Sequence, residues 1–404
     1  MKKITFLLLI FIFSFGSLSS QWIIQQSQVS NGMFGVSYIN NLTGMAVGEQ
    51  GKILKTDDGG YSWYPVLTNQ GYYLSAIKFL DQNTAYAVGS SGTIIKTTDG
   101  GASWNFQVAG TGNTFKCLQF IDVNTGYCAG LVGSVYKTTN GGANWINQPS
   151  VQLSMSAMYF FNANTGIICG TAGNYYKTTN GGANWIPKLV GPGVDLQAMS
   201  FLNSNTGVIV GNAGTILTTS NGGNSWTTKT TSLNVTLFGV SFGNISRVTA
   251  VGGSGTIVTS ADNGQTWGVQ NSGTYSILYA VNFVDDNYGC AVGEAGTILT
   301  TENGGGVYIK NISTEIPGQY YLGQNYPNPF NPNTSIIFKV RDSKFIQLKV
   351  YDILGKELLT LVDKKLAPGT YEISFDGSKL SSGTYFYRLS ADNYVDTKKM
   401  LLIK

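Results

Sequence analysis

The chain has 404 residues, of which 11% are charged and 42% are hydrophobic, so its composition excludes an intrinsically disordered polar protein. It contains no histidine and only three arginines, which excludes Ser-His and Cys-His catalysis and histidine-ligated metals. Residues 22–308 carry ten basic and twelve acidic side chains, a net charge of −2, and therefore lack the basic surface that binds nucleic acid. Many glycines and aromatic residues with few charges favour an all-β fold.

The amino-terminal residues 1–20 have the pattern of a secretory signal peptide. Two lysines precede an apolar run over residues 4–15, and small residues follow it. That run is too short to cross a bilayer comfortably, and no later segment has 18 consecutive apolar residues. We therefore expect cleavage beside Ser19 or Ser20, a mature protein that starts near Gln21, and no transmembrane segment.

The four cysteines have no spacing typical of a metal site. They are Cys117, Cys128, Cys169 and Cys290. Export permits disulfides, and Cys117 and Cys128 flank a short predicted hairpin in which they can pair. The alternative is that all four are small buried hydrophobic residues. The sequence predicts neither a metal nor a cofactor.

A phrase that ends in tryptophan recurs with a period of 41 residues. The phrase KTDDGGYSW ends at Trp63, and later copies end 41, 41, 40, 41 and 41 residues further on. A seventh copy places Tyr308 where the tryptophan is expected, and Trp22 lies 41 residues before Trp63. Short apolar stretches and Gly- or Asn-rich turns fill each repeat, which predicts four short strands per unit.

Four-stranded units with this period favour the blades of a β-propeller over a β-solenoid. Seven upstream phrases are present, such as NTAYAVGSSGTIIKT at residues 83–97. The last repeat lacks its tryptophan, whereas Trp22, Ile23 and Ile24 have no phrase before them. We therefore predict a seven-bladed ring whose last blade is completed by the amino-terminal strand. A solenoid needs polar caps instead, and the sequence shows none.

The repeated phrase itself predicts a tight turn. Asp or Asn stands five residues before each tryptophan, where it can accept a hydrogen bond from a backbone N–H two residues on. The glycine three residues before the tryptophan suits a positive φ, and the indole can bury a large ring with its N–H bonded. The turn residues are Asp58, Gly60, Trp63, Asp99, Gly101, Trp104, Asn140, Gly142, Trp145, Asn180, Gly182, Trp185, Asn221, Gly223, Trp226, Asp262, Gly264 and Trp267.

This phrase resembles the Asp-box, S/T-x-D-x-G-x-S/T-W, also called the bacterial neuraminidase (BNR) repeat. Residues 260–267 match it fully, and four copies carry Asn instead of Asp. The spacing and the VG-x-x-G-T-I phrase are most similar to seven-bladed propellers related to photosystem II assembly factors. Sortilin, sialidases and xyloglucanases share the box, which in those families is a structural turn on the outside of the blade.

The residues give little support for an enzyme. Sialidases grip a carboxylate with three arginines, whereas Arg247 is the only arginine in residues 22–308. A propeller-type glycoside hydrolase needs two opposed carboxylates. Most acidic residues outside the boxes lie in turn phrases such as LDQNT and VDDNYG, although the sequence does not rule out a carboxylate pair.

The starts of the predicted inner strands form a candidate ligand face. Propellers usually bind at one face around the central channel, and the repeats differ most at these starts. The alternative is simple variation at the rim. The candidate residues are Phe34, Ser75, Lys116, Ser156, Gln197, Phe238 and Tyr279.

Residues after 308 form a different unit. The segment 324–340 is rich in proline, and alternating stretches follow at 346–358, 369–377, 383–391 and 397–404. Turn signals separate these stretches, which predicts a small β-sandwich of about 80 residues.

This unit resembles the C-terminal sorting domain (type A) of the type IX secretion system of Bacteroidetes. The residues that carry the resemblance include Asn325, Tyr326, Pro327, Asn328, Pro329, Phe330, Gly383, Tyr385, Lys398 and Lys399. The resemblance implies Sec export to the periplasm, then transport through the outer membrane by the type IX machinery. It also implies removal of the domain and either release of the protein or its attachment to the cell surface.

The sequence thus predicts a signal peptide over residues 1–20, a seven-bladed β-propeller over 21–308, a linker over 309–322 and a sorting β-sandwich over 323–404. We expect a secreted or surface-displayed, non-enzymatic protein that binds a glycan or a protein partner. The alternatives are a secreted glycoside hydrolase and an assembly factor for envelope proteins.

Overall fold

The computed structural model describes residues 22–67, 71–189, 193–229, 231, 233–302, 304, 309–377 and 380–404. The predicted signal peptide and the seventh-repeat residues Asn303, Gly305 and Tyr308 lie outside this set. The described residues form an all-β structure with nine four-stranded antiparallel sheets. Its short 3₁₀ turns are Glu49–Gly51, Leu131–Gly133, Thr171–Gly173, Asn212–Gly214, Gly253–Gly255 and Glu294–Gly296.

Seven of the sheets follow the repeats and are numbered 1 to 7 in chain order. Sheet 1 contains β2 (Met33–Tyr38), β3 (Gly44–Gly48), β4 (Ile53–Thr56) and β5 (Tyr64–Leu67). Sheet 2 contains β6 (Leu74–Phe79), β7 (Ala85–Gly89), β8 (Ile94–Thr97) and β9 (Asn105–Gln107). Sheet 3 contains β10 (Phe115–Phe120), β11 (Gly126–Gly130), β12 (Val135–Thr138) and β13 (Ile146–Asn147). Sheets 4 and 5 contain β14 (Met155–Phe160), β15 (Gly166–Gly170), β16 (Asn174–Thr178), β17 (Ile186–Leu189); and β18 (Leu196–Phe201), β19 (Gly207–Gly211), β20 (Ile216–Thr219), β21 (Thr227–Lys229). Sheets 6 and 7 contain β22 (Leu237–Phe242), β23 (Val248–Gly252), β24 (Ile257–Ser260), β25 (Gly268–Gln270); and β26 (Leu278–Phe283), β27 (Gly289–Gly293), β28 (Ile298–Thr301), β1 (Ile23–Gln25).

The amino-terminal strand β1 completes sheet 7. It pairs antiparallel with β28, so that Ile24 lies opposite Leu299. Trp22 directly precedes β1, as each box tryptophan precedes the last strand of its own sheet, and its indole is fully buried against Phe283. The indole N–H donates to Gln270 Oε1 at 2.8 Å. This edge position is the one that the repeat pattern predicts for Trp22.

The repeat sheets make a closed series of contacts. The first strand of each sheet contacts the first strands of both neighbouring sheets, and β26 of sheet 7 contacts β2 of sheet 1. The core between sheets 7 and 1 includes Tyr38, Trp63, Tyr288 and Ile298. The seven first strands therefore contact one another in a closed cyclic order.

Side chains on the first strands fasten neighbouring sheets to each other. Ser37 Oγ accepts the Phe79 N–H at 3.2 Å, and the amide of Gln119 both accepts from and donates to the backbone of Phe160. Ser200 and Ser241 make the corresponding bonds to sheets 6 and 7. Each of these side chains satisfies a backbone donor that the packed interior removes from water, and Gln119 also satisfies the Phe160 carbonyl.

The second strand of each repeat sheet is buried along its whole length. Its sequence is a short run of small and apolar residues, as expected for a strand covered on both faces. The final glycine is required because the first strand passes very close. A Cβ on Gly48, for example, would lie 2.0 Å from the Gly32 carbonyl oxygen.

The remaining two sheets belong to the carboxyl-terminal region. One contains β29 (Ile309–Ser313), β34 (Gly369–Asp376), β31 (Asn333–Val340) and β30 (Tyr321–Leu322), and the other contains β33 (Glu357–Leu366), β32 (Lys344–Tyr351), β35 (Gly383–Ala391) and β36 (Tyr394–Leu402). Both sheets contribute to one hydrophobic core.

The segment 309–322, which the sequence predicts to be a linker, contains β29 and β30. β29 pairs with β34, and its last pairs are offset by one residue. The strand is therefore part of the carboxyl-terminal sheet and begins well before the proline-rich segment. Among the described residues, no helix is long and apolar enough to cross a membrane.

Candidate functional site

A β-bulge stands at the same place in the first strand of every repeat sheet. In sheet 1 the register shifts between Met33 and Gly35, which leaves Phe34 without a partner in the ladder. The other six sheets repeat this shift. The unpaired residues are Phe34, Ser75, Lys116, Ser156, Gln197, Phe238 and Tyr279, the seven candidate residues of the predicted ligand face. A bulge bends the strand and re-aims its side chain, so these seven residues are set apart from the packed ladder.

The seven bulge residues are half-buried and differ around the ring. Phe238, Tyr279 and Phe34 belong to the adjacent sheets 6, 7 and 1. The Phe238 and Tyr279 ring centroids are 5.6 Å apart, and those of Phe34 and Tyr279 are 5.2 Å apart. Tyr73, which precedes the first strand of sheet 2, extends the series with its ring 6.0 Å from that of Phe34. We call Phe238, Tyr279, Phe34 and Tyr73 the aromatic arc.

The structure does not bring all seven candidate residues into one contact group. Lys116 joins the end of the aromatic arc, because its Nζ lies 5.5 Å from the centre of the Tyr73 ring. Gln197 bonds instead to Asn212 at 3.0 Å. The Oγ of Ser75 is buried without a hydrogen-bond partner among the described residues. One side of the ring is thus aromatic, whereas Ser156 and Gln197 make the opposite side polar.

In each repeat sheet, a residue in the turn between the second and third strands comes fifteen positions after the bulge residue. The Gln197–Asn212 bond shows one such neighbour in contact with its bulge residue. In sheet 1 the neighbour is Glu49, whose Oε2 accepts the Gly32 N–H at 3.1 Å. A methyl group at Gly32 would lie 3.3 Å from both Glu49 Oε1 and Phe34 Cε1, so the carboxylate and the ring edge adjoin.

Sheet 7 repeats the arrangement with Glu294 and Tyr279. The Ile277 N–H donates to Glu294 Oε2 at 3.5 Å, two residues before Tyr279. Burial raises the pKa of Tyr279, and the nearby carboxylates of Glu294 and Glu49 raise it further. The Tyr279 hydroxyl therefore stays protonated and can donate a hydrogen bond at neutral pH.

Sequence reasoning did not single out Tyr73, Glu49 or Glu294 as site residues. Tyr73 lies one residue before a first strand, at a position where the other repeats carry Gly, Thr, Ser, Asp or Ile. The two glutamates lie inside the VG-x-x-G phrase, whose glycines predict only a turn. The two glutamates could have been found from the sequence by comparing the variable residues of that phrase with the bulge residues fifteen positions earlier.

The Asp-box residues form a structural turn in each described copy. In sheet 1, Thr56 Oγ1 accepts the Gly60 N–H at 2.8 Å and donates to Asp58 Oδ1 at 2.8 Å. Asp58 Oδ1 accepts the N–H of Ser62, four residues on rather than the predicted two. The hydrogen bond between residues two positions apart is instead accepted by Thr56 Oγ1, to which the Asp58 N–H donates at 3.4 Å. Asn140 keeps the same bond to the Asn144 N–H, which explains why Asn replaces Asp in some copies.

The box glycines have positive φ, as predicted. Their φ angles lie between 73° and 95° at Gly60, Gly101, Gly142, Gly182, Gly223 and Gly264. The indole N–H of Trp63 and that of Trp267 each donate to the carbonyl oxygen of the box glycine at 3.0 Å. Among the described residues, the indole nitrogens of Trp104, Trp145 and Trp185 are buried without an acceptor, so the expected partner is missing in these copies.

Neighbouring sheets hold the box turns in place. The Tyr86 hydroxyl of sheet 2 donates to the Gly141 carbonyl at 2.6 Å, and that of Tyr127 in sheet 3 donates to Gly181 at 3.0 Å. Arg247, whose pKa burial lowers, donates to the Gly304 carbonyl at 2.9 Å. These side chains are committed to joining sheets and do not form a carboxylate clamp.

The four cysteines are buried free thiols. Cys117 lies opposite Ala129 and Cys128 opposite Leu118, so the two side chains point to opposite faces of sheet 3 and cannot pair. They accordingly belong to different cores. Burial raises the pKa of Cys117 to about 12. Among the described residues, no three Cys, Asp or Glu side chains are grouped as for a metal ion.

The sorting-motif residues are built into the carboxyl-terminal core and its border. Asn325 is buried, and its Nδ2 donates to the Pro327 carbonyl at 3.1 Å and to Thr334 Oγ1 at 3.0 Å. Phe330 lies in the core, and the Tyr385 hydroxyl donates to the Ser381 carbonyl. Gly383 begins β35. The more exposed members are Tyr326, Pro327, Asn328, Pro329, Lys398 and Lys399.

Two family models match the chain. The one described as photosynthesis system II assembly factor YCF48 matches residues 16–302. The one described as secretion system C-terminal sorting domain matches residues 324–404. No curated protein matches the chain in sequence.

Several solved structures share the fold of the repeat region. YCF48 bound to D1 peptide is 23% identical with a TM-score of 0.60, over 70% of this chain and 95% of that one. YCF48 from Cyanidioschyzon merolae is 20% identical with a TM-score of 0.59, over 70% and 98%. The WD40 β-propeller domain of Doa1 is 11% identical with a TM-score of 0.59, over 69% and 94%. These similarities show a β-propeller fold and, at such identities, the fold alone.

Proposed function

Since the chain belongs to the photosynthesis system II assembly factor YCF48 family over residues 16–302, we propose that it is a non-enzymatic propeller that binds a polypeptide partner outside the cell. In this proposal sheets 1 to 7 are the blades of a seven-bladed propeller over residues 21–308. β1 closes the ring, and the carboxyl-terminal sheets form a sorting β-sandwich. The sorting domain at residues 324–404 indicates secretion by the type IX system to the cell surface or the extracellular space.

The observation that carries the proposal is the aromatic arc. Four half-buried rings line one side of the ring of first strands, and three of them stand at bulges, outside the ladder. Half-buried aromatic rings with polar neighbours are typical of binding sites, because they offer a large apolar area at a small cost in conformational entropy.

A polypeptide is favoured as the partner for two reasons. The related structure YCF48 bound to D1 peptide has a peptide on the same fold. In addition, the ring of bulges presents aromatic, amide, hydroxyl and charged groups in sequence, which suits the varied side chains of a peptide. The acidic box residues are bonded into turns and are not available for glycoside hydrolysis.

Arrays of random decapeptides and of glycans test the proposal with the purified full chain. We expect peptide binding that is lost when Phe238→Ala and Tyr279→Ala are combined. Phe106→Ala is the matched control, because Phe106 is an exposed ring on the outer strand β9. Peptide binding that survives the double substitution would refute the aromatic arc as the site. If the chain bound glycans but no peptides, and the double variant lost that binding, the ligand of the aromatic arc would be a glycan and not a peptide.

Deletion of residues 324–404 tests the export route. We expect the truncated chain to accumulate in the periplasm instead of at the surface or in the medium, measured by fractionation. Normal surface amounts of the truncated chain would contradict the assignment.

A further inference from the structure

Two carboxylates adjoin the aromatic arc where sheets 7 and 1 meet. A methyl group at Gly32 would lie 3.3 Å from both Glu49 Oε1 and Phe34 Cε1, so the Glu49 carboxylate lies beside the Phe34 ring. Glu294 occupies the same place in sheet 7 and is bonded to the Ile277 N–H, two residues before Tyr279. Both carboxylates are exposed, so they can meet a ligand that lies on the rings.

The pairing of carboxylate and aromatic ring is confined to these two neighbouring repeats. The corresponding turn residues in the other five repeats carry no negative charge. They are Ser90, Leu131, Thr171, Asn212 and Gly253. The charge is therefore not a general property of the turn, because it is concentrated beside Phe34 and Tyr279.

The aromatic arc already contains one cation–π contact, the kind of contact that aromatic rings beside carboxylates favour. The ammonium group of Lys116 lies over the ring of Tyr73 at the end of the aromatic arc, 5.5 Å from the ring centre. An ammonium or guanidinium over an aromatic face is attracted by the negative face of the ring. Among the described residues, no lysine or arginine of the chain takes this position over Phe34, Phe238 or Tyr279. The basic residue of the same turn, Lys52, is held away by Asn31 at 2.8 Å.

We propose that the corner formed by Phe34, Tyr279, Glu49 and Glu294 binds a lysine or arginine side chain of the partner polypeptide. The stem of that side chain packs on the rings, and its charged end lies between the two carboxylates. This inference rests on the proposed function, because it assigns the chemistry of one residue in the bound peptide. Opposite charge at a partly exposed site contributes selectivity more than affinity.

Four matched decapeptide libraries, which differ only in a fixed central residue of Lys, Arg, Gln or Glu, test the inference on the full chain. We expect the Lys and Arg libraries to bind more tightly than the Gln and Glu libraries. Combining Glu49→Gln with Glu294→Gln should weaken the Lys and Arg libraries by roughly three- to tenfold and leave the Gln library unchanged. Glutamine keeps an acceptor for the Gly32 and Ile277 N–H groups, so the turns are expected to fold normally. Glu315→Gln, an exposed carboxylate of the carboxyl-terminal region, is the control.

The outcomes separate the two proposals. Equal binding of the four libraries, or Lys and Arg binding that the double variant leaves unchanged, would overturn the inference while peptide binding itself stands. Binding of none of the libraries by the unaltered chain would overturn the proposed function, and the inference with it.

Discussion

The side-chain oxygen Oδ1 of Asn282 accepts the backbone N–H of Tyr38 at 2.9 Å, across 244 residues of sequence. Asn282 belongs to the first strand of sheet 7, and Tyr38 ends the first strand of sheet 1. The bond is therefore the closing member of the series that Ser37, Gln119, Ser200 and Ser241 make between earlier sheets. Together with β1, it gives the ring two fastenings between its first and last sheets, one near the centre and one at the outer edge.

Asn282→Ala tests the inner fastening. The substitution leaves the Tyr38 N–H without its acceptor, and we expect the free energy of unfolding to fall by about 1–3 kcal/mol. Asn184→Ala, at an exposed box position, is the control and should change little. Tryptophan fluorescence in urea is the appropriate measurement, because all seven tryptophans lie within residues 22–267 and report on the repeats alone. Equal stability of the two variants would show that this bond does not hold the ring.

Trp22→Ala tests the outer fastening. Removal of the fully buried indole leaves a cavity against Phe283 and Leu299, and we expect a loss of about 3–5 kcal/mol in unfolding free energy. Ile24→Ala on the same strand is half-exposed and should cost much less. Circular dichroism during thermal unfolding gives the comparison without relying on the missing fluorophore. If the two variants melted together, β1 would not be an energetically significant part of sheet 7.

Val132→Gly should stabilise the protein. Val132 has φ 56° and ψ 27°, a left-handed conformation that costs an L-residue with a branched side chain about 1–2 kcal/mol, and its side chain is 73% exposed. Glycine adopts this conformation without strain, so we expect a gain of about 1 kcal/mol measured by urea unfolding. Val123→Gly replaces a valine that is 64% exposed and has an ordinary negative φ, so it should not stabilise the protein. A loss at Val132 would contradict the strain argument.

Asp99→Asn should reduce the sensitivity of the repeats to acid. Hydrogen bonds, first of all from the Ser103 hydroxyl, lower the pKa of Asp99 to about 2 from the ordinary value of 3.8. The unfolded chain therefore binds this proton more tightly than the folded protein does. The stabilising contribution is complete above about pH 4 and is lost as the pH falls through about 2.

Asparagine should keep the turn, because Asn221 accepts the Ser225 N–H and donates to the Ser225 hydroxyl at 2.8 Å in its own box. Urea unfolding at a series of pH values between 5 and about 2 measures the effect. The reverse substitution Asn140→Asp is the control and should add acid sensitivity. If the unfolding free energies of the unaltered chain, Asp99→Asn and Asn140→Asp changed with pH in the same way, the lowered pKa of Asp99 would not contribute to stability.

The sequence period was sufficient to predict most of the repeat region. The spacing of 40 or 41 residues between Trp63 and its copies indicated the number of strands per unit, and the unmatched Trp22 indicated where the amino terminus lies. Box glycines such as Gly60 were predictable because a left-handed φ narrows the choice of residue.

The site was less predictable, for a physical reason. The position of Phe34 outside the ladder depends on the pairing of two strands, which no single-strand pattern records. The meeting of Glu49 with Phe34 likewise depends on the return of the chain fifteen residues later. β29 was missed because its pairing partner, β34, lies about sixty residues further along the chain.

The recurring bulge separates the residues that build the sheets from the residues that the sheets present at the candidate face. Each bulge residue has no partner in the strand ladder, so its substitution leaves every ladder bond of its sheet in place. The molecule therefore offers seven adjustable positions on an unchanging frame. Such a frame lends itself to laboratory selection, in which new recognition is obtained by randomising these seven side chains and nothing else.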